Sequence, residues 1–167
     1  EVVPVPRAFT VIIDYAHTPN ALENILTTAR EFTAGRLICL FGCGGDRDRT
    51  KRPVMGAIAE DLADQVVVTS DNPRTEEPRA IIEDILAGMT GREADVHVEP
   101  DRREAIAWAL ARGKPGDVIV LAGKGHETYQ EINGAQYHMD EREIVADWFA
   151  RADGRQKMTG KFPADVI

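Results

Sequence analysis

Long apolar runs are absent from this chain of 167 residues, cysteines are few, and acidic residues outnumber basic ones. The formal net charge of -8 comes from 20 Lys and Arg against 28 Asp and Glu. No basic stripe offsets this charge, so nucleic acid is not an expected partner. The 2 cysteines, Cys39 and Cys43, cannot make a disulfide framework and favour a reducing compartment. The 4 histidines lie far apart, so no metal-ligand spacing is present and we expect no metal site.

Membrane insertion and secretion are not expected either. No apolar run is long enough to span a bilayer, and no signal-peptide pattern is present. With 43% hydrophobic and 29% charged residues, the composition is that of one globular domain. We expect a cytoplasmic monomer with a domain over residues 1–150. The tail over residues 151–167 has no hydrophobic period, and we expect it to be frayed or packed on a neighbour.

Common catalytic motifs are missing as well. Gly123-Lys124-Gly125 lacks the upstream glycine and the following hydroxyl of a phosphate loop. In the loop that begins at Gly42, Arg47 stands where the dinucleotide fingerprint has its third glycine. No serine nucleophile elbow is present. We therefore assign no catalytic residue to this chain alone and expect it to hydrolyse no nucleotide by itself.

The hydrophobic pattern alternates between short apolar runs and segments with helical spacing. It predicts an α/β fold, a Rossmann-like and mainly parallel sheet of about six strands with an antiparallel edge and helices on both faces. The predicted strands are Phe9–Ile13, Leu37–Phe41, Val66–Thr69, a short one around Val96–Val98, and Val118–Ala122. Helices are expected to begin at Pro19 after the capping residue Thr18, at Pro53, at Pro78, after Asp101 and after Asp140.

A β-hairpin is predicted after the last parallel strand. Tyr129–Ile132 and Ala135–His138 flank Asn133-Gly134, a dipeptide typical of tight primed turns. We expect this hairpin to form the antiparallel edge of the sheet.

Charged loops follow the predicted strands and are the candidate binding site. They are Gly42-Cys43-Gly44-Gly45-Asp46-Arg47-Asp48-Arg49, Ser70-Asp71-Asn72-Pro73-Arg74 and Gly123-Lys124-Gly125-His126-Glu127. Parallel strands bring such loops to one edge, where open α/β folds bind ligands. Tight strand-to-helix turns would explain the glycines but not the charged residues. An arginine and an amide on a proline-stiffened turn can recognise an amino acid, because a guanidinium grips a carboxylate bidentately.

Motifs at these loops, in this order and spacing, resemble the C-terminal domain of the Mur ligase family. They are Asp14-Tyr15-Ala16-His17-Thr18-Pro19, the Gly42 loop through Arg47, Asp71-Asn72-Pro73-Arg74 and Gly123-Lys124-Gly125-His126-Glu127. The resemblance covers about residues 8 to 150. In this family the Asp-Asn-Pro-Arg form goes with diaminopimelate rather than lysine as the incoming amino acid.

The resemblance implies that the chain is the last of three domains in an ATP-dependent amide ligase. The other domains would hold UDP-N-acetylmuramoyl-L-alanyl-D-glutamate and, on a phosphate loop, ATP with Mg²⁺. The full enzyme would activate the dipeptide as an acyl phosphate. The amine of meso-diaminopimelate would then attack it, in cytoplasmic synthesis of the peptidoglycan precursor.

Roles for individual residues are implied by the same resemblance. Arg47 would bind the carboxylate at the reacting end of diaminopimelate. Asn72 and Arg74 would bind the distal carboxylate. Glu127 and the carbonyl of Gly123 would hold the distal ammonium.

Two further pairs of residues are assigned in the same way. Asp71 and Pro73 would shape the turn over residues 70–74. Asp14 would reach the ribose hydroxyls of ATP, and His17 would lie beside the nucleotide. A helix-start residue packing on Tyr15 is nearly as good an explanation of His17. For Lys124 and His126 we prefer a role in loop structure.

Two alternatives remain open from the sequence. The chain resembles, less specifically, the C-terminal domain of folylpolyglutamate synthetase, whose amino acid, glutamate, gives no reason for the Asp-Asn-Pro-Arg turn. It could also be a free-standing amino-acid-binding module. Substrate panels separate these readings.

Overall fold

The computed structural model describes residues 1–91 and 93–153. Its strands are β1 (Val2–Val3), β2 (Thr10–Asp14), β3 (Leu37–Phe41), β4 (Gln65–Val68), β5 (Asp95–Val98), β6 (Val118–Ala122), β7 (Tyr129–Ile132) and β8 (Ala135–His138). Its helices are α1 (Pro19–Phe32), α2 (Lys51–Leu62), α3 (Pro78–Leu86), α4 (Arg102–Arg112) and α5 (Glu141–Asp153).

The main sheet has 6 strands in the order β1-β2-β6-β3-β4-β5, and every pair from β2 to β5 is parallel. All residues of β3, β4 and β6 are buried. Strands that are covered on both faces need apolar side chains at nearly every position, which is why these segments are continuous apolar runs in the sequence. The predicted α/β fold is confirmed.

Helices cover both faces of the sheet, as predicted. On one face α1, α2 and α3 bury Leu26, Met55 and Ile85 in one core. On the other face α4 and α5 bury Ile106 and Val145 in a second core. The strands contribute alternating side chains to the two cores, so helices cover both faces and the strand ends are where a ligand site is expected.

The antiparallel edge exists, but the hairpin does not form it. β1 pairs antiparallel with β2, whereas β7 and β8 form a separate two-stranded sheet. β6 pairs with β2 on one side and with β3 on the other, so the hairpin that follows β6 cannot pair beside it. Instead β7 pairs at Ile132 with Arg74. The primed turn is confirmed by positive φ values of 49° at Asn133 and 77° at Gly134.

Helix starts follow the predicted capping chemistry with one correction. Thr18 caps α1 with its side chain and Pro19 takes the first position, while Asp101 accepts backbone N–H bonds from the first turn of α4. α2 begins at Lys51, before Pro53, because proline is tolerated throughout a first helical turn where its missing N–H has no partner. β2 and β4 are each displaced by one residue from the predicted limits.

No helix within residues 1–91 and 93–153 is long and apolar enough to cross a membrane. The last helix, α5, continues through Asp153. The rest of the tail predicted over residues 151–167 lies outside the described residues.

Candidate functional site

The carboxyl ends of four adjacent strands, β2, β6, β3 and β4, carry the loops that the sequence singles out. We call them the Asp14 loop (residues 14–18), the Gly123 loop (residues 123–128), the Gly42 loop (residues 42–50) and the Asp71 turn (residues 70–74). The strand order therefore brings every predicted site residue to one edge of the sheet.

The Gly42 loop and the Asp71 turn touch through their main chains. The backbone N–H of Gly45 donates to the carbonyl of Asn72 at 2.9 Å. A Cβ added to Gly45 would lie 1.9 Å from the carbonyl oxygen of Pro73. Only glycine allows this approach, so Gly45 fixes the spacing of the two loops.

Side chains lock the same two loops together. The Asp46 carboxylate accepts from the backbone N–H of Thr75 at 3.2 Å and from its hydroxyl at 2.7 Å. The N–H of Asp46 donates to the Glu76 carboxylate at 2.7 Å. Asp46 adopts a positive φ of 54°, which lets its backbone and side chain face the turn at once.

A buried arginine, Arg52, lies beneath the Gly42 loop. Its guanidinium donates to Glu76 at 2.8 and 2.9 Å, to Asp84 at 2.9 Å and to the carbonyl of Gly44 at 3.2 Å. The hydrogen bond from Arg52 is the main reason that the pKa of Glu76 falls from 4.5 to about 2. This cluster joins α2, the Gly42 loop and α3 from behind.

The guanidinium of Arg74 is held from two sides. Its Nε donates to the Glu131 carboxylate at 3.1 Å, and its Nη1 donates to the carbonyl of Gly45 at 2.9 Å. Its Nη2 has no hydrogen-bond partner within the part of the chain that the structure describes. The main chain of Arg74 also bonds with Glu131 and Asn133, so β7 supports the turn along its length.

Arg47 extends beside Arg74. A Cβ added to Gly44 would lie 3.0 Å from Nη1 of Arg74 and 3.8 Å from Cγ of Arg47, so both side chains flank the same glycine. Arg47 is exposed and its Nη1 donates to the carbonyl of Asp46 at 3.0 Å. The site thus presents two cationic side chains on one side.

Asn72, Lys124 and Glu127 form a second contact group. Asn72 donates through Nδ2 to Oε2 of Glu127 at 3.0 Å. The ammonium of Lys124 donates to the same Oε2 at 3.1 Å and to Oδ1 of Asn72 at 3.0 Å. Within residues 1–91 and 93–153, Oε1 of Glu127 has no hydrogen-bond partner. The side chain of Lys124 is 0% exposed and that of Glu127 is 15% exposed.

Asp71 joins the turn to the Gly123 loop. Its Oδ1 accepts from the N–H of Asn72 at 2.6 Å, and its carbonyl accepts from the side-chain amide of Gln130 at 2.7 Å. A Cβ added to Gly123 would lie 2.6 Å from Oδ2 of Asp71, and Gly123 has a φ of 115°. Position 123 therefore requires glycine, both because a Cβ would collide with Asp71 and because φ is positive.

A buried ion pair stands behind both loops. The side chains of Arg102 and Glu141 are 0% exposed and meet at 2.8 Å. The same guanidinium donates to the carbonyl of Ser70 at 3.2 Å and to that of Ala122 at 2.8 Å. These residues directly precede Asp71 and Gly123, so Arg102 ties together the starting points of the turn and the loop.

The Asp14 loop lies next to the Gly123 loop. Oδ1 of Asp14 accepts from the N–H of Ala16 at 2.8 Å, which leaves Oδ2 for another donor. The His17 ring packs on Tyr15 with centroids 4.5 Å apart, and Tyr15 also contacts the His126 ring at 5.1 Å. The packing alternative for His17 is therefore observed, and its place beside a nucleotide stays a prediction.

Several residues at this edge were missed by sequence reasoning. Glu131 and Glu76 shape the site without belonging to a recognised motif. The sequence places Arg52 in a basic cluster with Arg47, Arg49 and Lys51 that we expect to be available for an anionic ligand. The structure corrects this for Arg52, which is buried and paired with Glu76 and Asp84. Lys124 was expected to have a loop-structural role, and its burial and contacts agree with that expectation. Across the described ranges no group of three His, Cys, Asp or Glu side chains could hold a metal ion.

Comparison with known proteins gives a consistent family. The family model described as "Mur ligase, glutamate ligase domain" matches residues 1–125. UDP-N-acetylmuramoyl-L-alanyl-D-glutamate–2,6-diaminopimelate ligase of Clostridioides difficile is 50% identical over 151 residues, 90% of this chain and 31% of that protein. The ligase of the same name from Thermosynechococcus vestitus is 61% identical over 134 residues, 80% of this chain and 27% of that protein.

Solved structures agree. A structure of UDP-N-acetylmuramoyl-L-alanyl-D-glutamate–2,6-diaminopimelate ligase matches with a TM-score of 0.88 and 42% identity, over 92% of this chain and 31% of that one. A MurF ligase from Thermotoga maritima in complex with ADP, 18% identical with a TM-score of 0.53, shares the fold over 89% of this chain and 30% of its own. The chain thus spans about a third of the length of the relatives it matches. The family match over residues 1–125, supported by these identities, shows that the chain belongs to the Mur ligase family as its glutamate ligase domain.

Proposed function

We propose that this chain is the amino-acid-binding domain of an ATP-dependent amide ligase. The enzyme would add meso-diaminopimelate to UDP-N-acetylmuramoyl-L-alanyl-D-glutamate in the cytoplasm. The names of the relatives at 50% and 61% identity support this reaction. We infer that residues 1–150 form the binding domain, that residues 151–167 form a short tail, and that the protein is a monomer.

One observation carries the choice of amino acid. Within residues 1–91 and 93–153, Nη2 of Arg74 on the Asp71 turn and Oε1 of Glu127 on the Gly123 loop have no hydrogen-bond partner, so a donor and an acceptor remain available. Asn72 links the two groups: it donates to Glu127 at 3.0 Å and accepts from the N–H of Glu131, the carboxylate partner of Arg74, at 2.9 Å. The distal end of diaminopimelate carries a carboxylate and an ammonium, and these groups need one donor and one acceptor in this way.

The other residues at the edge fit the remaining parts of the substrates. Arg47, which lies beside Arg74, would bind the carboxylate at the reacting end of the amino acid. The Gly123 carbonyl would share the distal ammonium, and Asp71 and Pro73 would hold the turn in shape. This chain then contributes by positioning the attacking amine, an effect that can lower a barrier substantially without any proton transfer from these side chains.

ATP and Mg²⁺ would be held mainly by the other domains. ATP supplies the phosphoryl group that activates the dipeptide carboxyl. Among the described residues nothing donates to Oδ2 of Asp14, which suits a ribose hydroxyl. The ring centroids of His17 and Tyr15 lie 4.5 Å apart at the same loop, where both rings would border a nucleotide.

Calorimetry on this chain tests the proposal directly. Diaminopimelate, lysine and glutamate are titrated under identical conditions, and only diaminopimelate is expected to release measurable heat of binding. Preference for glutamate would support a folylpolyglutamate synthetase instead. Binding of several unrelated amino acids would indicate a free-standing module.

Substitution of Arg74 by alanine tests the residue that reads the substrate. Hydrogen bonds to charged groups contribute roughly 1.5–3 kcal/mol, so Arg74→Ala in a full-length ligase that carries this domain should lower diaminopimelate use by about ten- to a hundredfold. Lysine lacks the distal carboxylate, so its use should change much less. The measurement is kcat/KM for both amino acids. An equal fall for both would mean that Arg74 only holds the loop.

A further inference from the structure

Lys124 is buried at the place where the proposed function puts the ammonium of the substrate. Its side chain is 0% exposed, and its ammonium contacts Glu127 at 3.1 Å and Asn72 at 3.0 Å. It also lies 5.6 Å from the centre of the Tyr129 ring. The carboxylate that would attract a ligand cation therefore already has a resident cation.

The second carboxylate of the region is paired in the same way. Glu131 meets Arg74 at 3.1 Å, and the N–H of Glu131 donates to Oδ1 of Asn72 at 2.9 Å. We call Asn72, Arg74, Lys124, Glu127 and Glu131 the paired-charge cluster. Each of its cations has its own carboxylate, and Asn72 bonds to members of both pairs.

Pairing changes what the cluster can attract. Partly buried charges interact more strongly than charges in water, so an unbalanced charge there is costly. A ligand end that brings both an ammonium and a carboxylate leaves the balance intact. A ligand end that brings an ammonium alone would add an unpaired positive charge next to Lys124.

We propose that Lys124 determines specificity by neutralising Glu127, so that the site rejects a lone ammonium and accepts an ammonium only together with a carboxylate. The inference rests on the proposed function and deepens it. Arg74 binds the distal carboxylate of diaminopimelate, and Lys124 repels the ammonium of a ligand that lacks this carboxylate. Discrimination against lysine thus has an attractive part and a repulsive part.

The test uses a full-length ligase that carries this domain and three amino acids that differ only in charge at the distal end. Diaminopimelate has both groups, lysine has the ammonium alone, and 2-aminopimelate has the carboxylate alone. Two substitutions change the charge of the cluster by one unit in opposite directions: Lys124→Met removes a positive charge, and Glu127→Gln removes a negative one. The readout is kcat/KM for each amino acid relative to diaminopimelate.

Opposite shifts are expected. Lys124→Met leaves the Glu127 carboxylate without its cation. The relative use of lysine should therefore rise by at least about tenfold, because its distal ammonium can pair with Glu127, and that of 2-aminopimelate should fall. In Glu127→Gln the relative use of 2-aminopimelate should rise and that of lysine should fall. Glu127→Gln is nearly isosteric, so it keeps the test valid even where Lys124→Met lowers the yield of folded protein.

Equal losses for all three amino acids in both variants would overturn the inference and leave Lys124 as a purely structural residue. An unchanged preference in either variant would overturn it as well. A wild-type enzyme that does not use diaminopimelate would instead refute the proposed function. Failure of the reaction assignment and failure of the charge-balance inference are therefore distinguishable.

Discussion

Individual charged residues at the carboxyl edge are held mostly by other charged residues. Arg52, Arg74 and Lys124 each contact a carboxylate within 3.1 Å. Burying a cation is costly unless it is paired and hydrogen-bonded, and each of these side chains meets that condition. The pairs fix where each guanidinium or ammonium points, as the proposed binding of a small zwitterion would require.

The pair of Arg52 and Glu76 leads to a prediction about pH. Arg52 depresses the pKa of Glu76 in the folded protein to about 2, below its ordinary value of 4.5. A carboxyl group with a depressed folded pKa stabilises the protein fully above its unfolded pKa, and this stabilisation is lost as pH falls through the folded pKa. Glu76→Gln should therefore unfold at lower urea concentration than wild type at pH 7. The difference should shrink between about pH 4.5 and pH 2.

Urea denaturation at pH 7, 4 and 3 measures the effect. The matched control is Glu31→Gln, which removes an exposed carboxylate near the end of α1 and should change stability little at any of these pH values. A difference between wild type and Glu76→Gln that stays constant down to pH 3 would contradict the assignment of the pair.

The cysteines give a second prediction at the scale of single residues. Burial raises the pKa of the Cys39 and Cys43 thiols to about 12. At pH 8 roughly one thiol in ten thousand is then ionised, and only the thiolate reacts with alkylating agents. We expect no modification of the native protein by iodoacetamide over an hour and complete modification of both cysteines in denaturant, as measured by mass spectrometry. Rapid labelling of native Cys43 would show that the Gly42 loop opens readily.

Sequence reasoning found the residues in motifs better than the residues that hold them. Arg47, Asn72 and Arg74 were identified because their spacing resembles a family. Glu131 was not, because the partner of Arg74 depends on where a later hairpin docks. Burial of Arg52 was equally invisible, since a lysine- and arginine-rich segment ordinarily lies in solvent.

At the scale of elements, the Gly42 loop and the β7–β8 hairpin support the Asp71 turn from opposite sides. The Gly42 loop bonds to the turn through Gly45, and β7 bonds to it through the main chain of Glu131. Helices and strands of the main sheet were predictable from apolar periodicity and capping residues. The docking of the hairpin was not, because a local turn motif specifies pairing between two strands but not which surface the pair covers.

The contact between the two loops can be tested at Gly45. A Cβ at this position would lie 1.9 Å from the backbone carbonyl of Pro73, so Gly45→Ala must push the turn away. Overpacking of this kind costs about 1–3 kcal/mol, and binding of diaminopimelate should be lost with it. Urea denaturation and calorimetry measure the two effects.

Gly44→Ala is the matched comparison. Its Cβ would first meet the end of the flexible Arg74 side chain, at 3.0 Å, and not a backbone atom. We expect Gly44→Ala to retain more stability than Gly45→Ala while still disturbing Arg74. Equal stability of the two variants would show that the loops are not held at this distance in solution.

At the scale of the whole molecule, one six-stranded sheet carries the four loops, and the chain spans about a third of the length of its relatives. The fold class was predictable because buried parallel strands and amphipathic helices leave strong periodic signals. The position of the candidate site was predictable in outline for a related reason, since loops at the carboxyl ends of adjacent parallel strands lie at one edge of the sheet. The exact pairing of charges required the three-dimensional structure.

The last prediction concerns activity of the chain by itself. Phosphoryl transfer requires backbone N–H groups that cradle the phosphates, a lysine near the transferred group and a coordinated metal ion. The sequence has no phosphate-loop pattern. The proposed roles of Asp14 and His17 concern the ribose and the nucleotide, not the transferred phosphate. We expect no phosphate release from ATP and no amide formation by the purified chain, with or without diaminopimelate. A mock purification from cells that lack the chain measures contaminating ATPase. ATP turnover that stays proportional to the chain through successive purification steps would mean that this domain contains a complete nucleotide site, and that the division of labour proposed for the full ligase is incorrect.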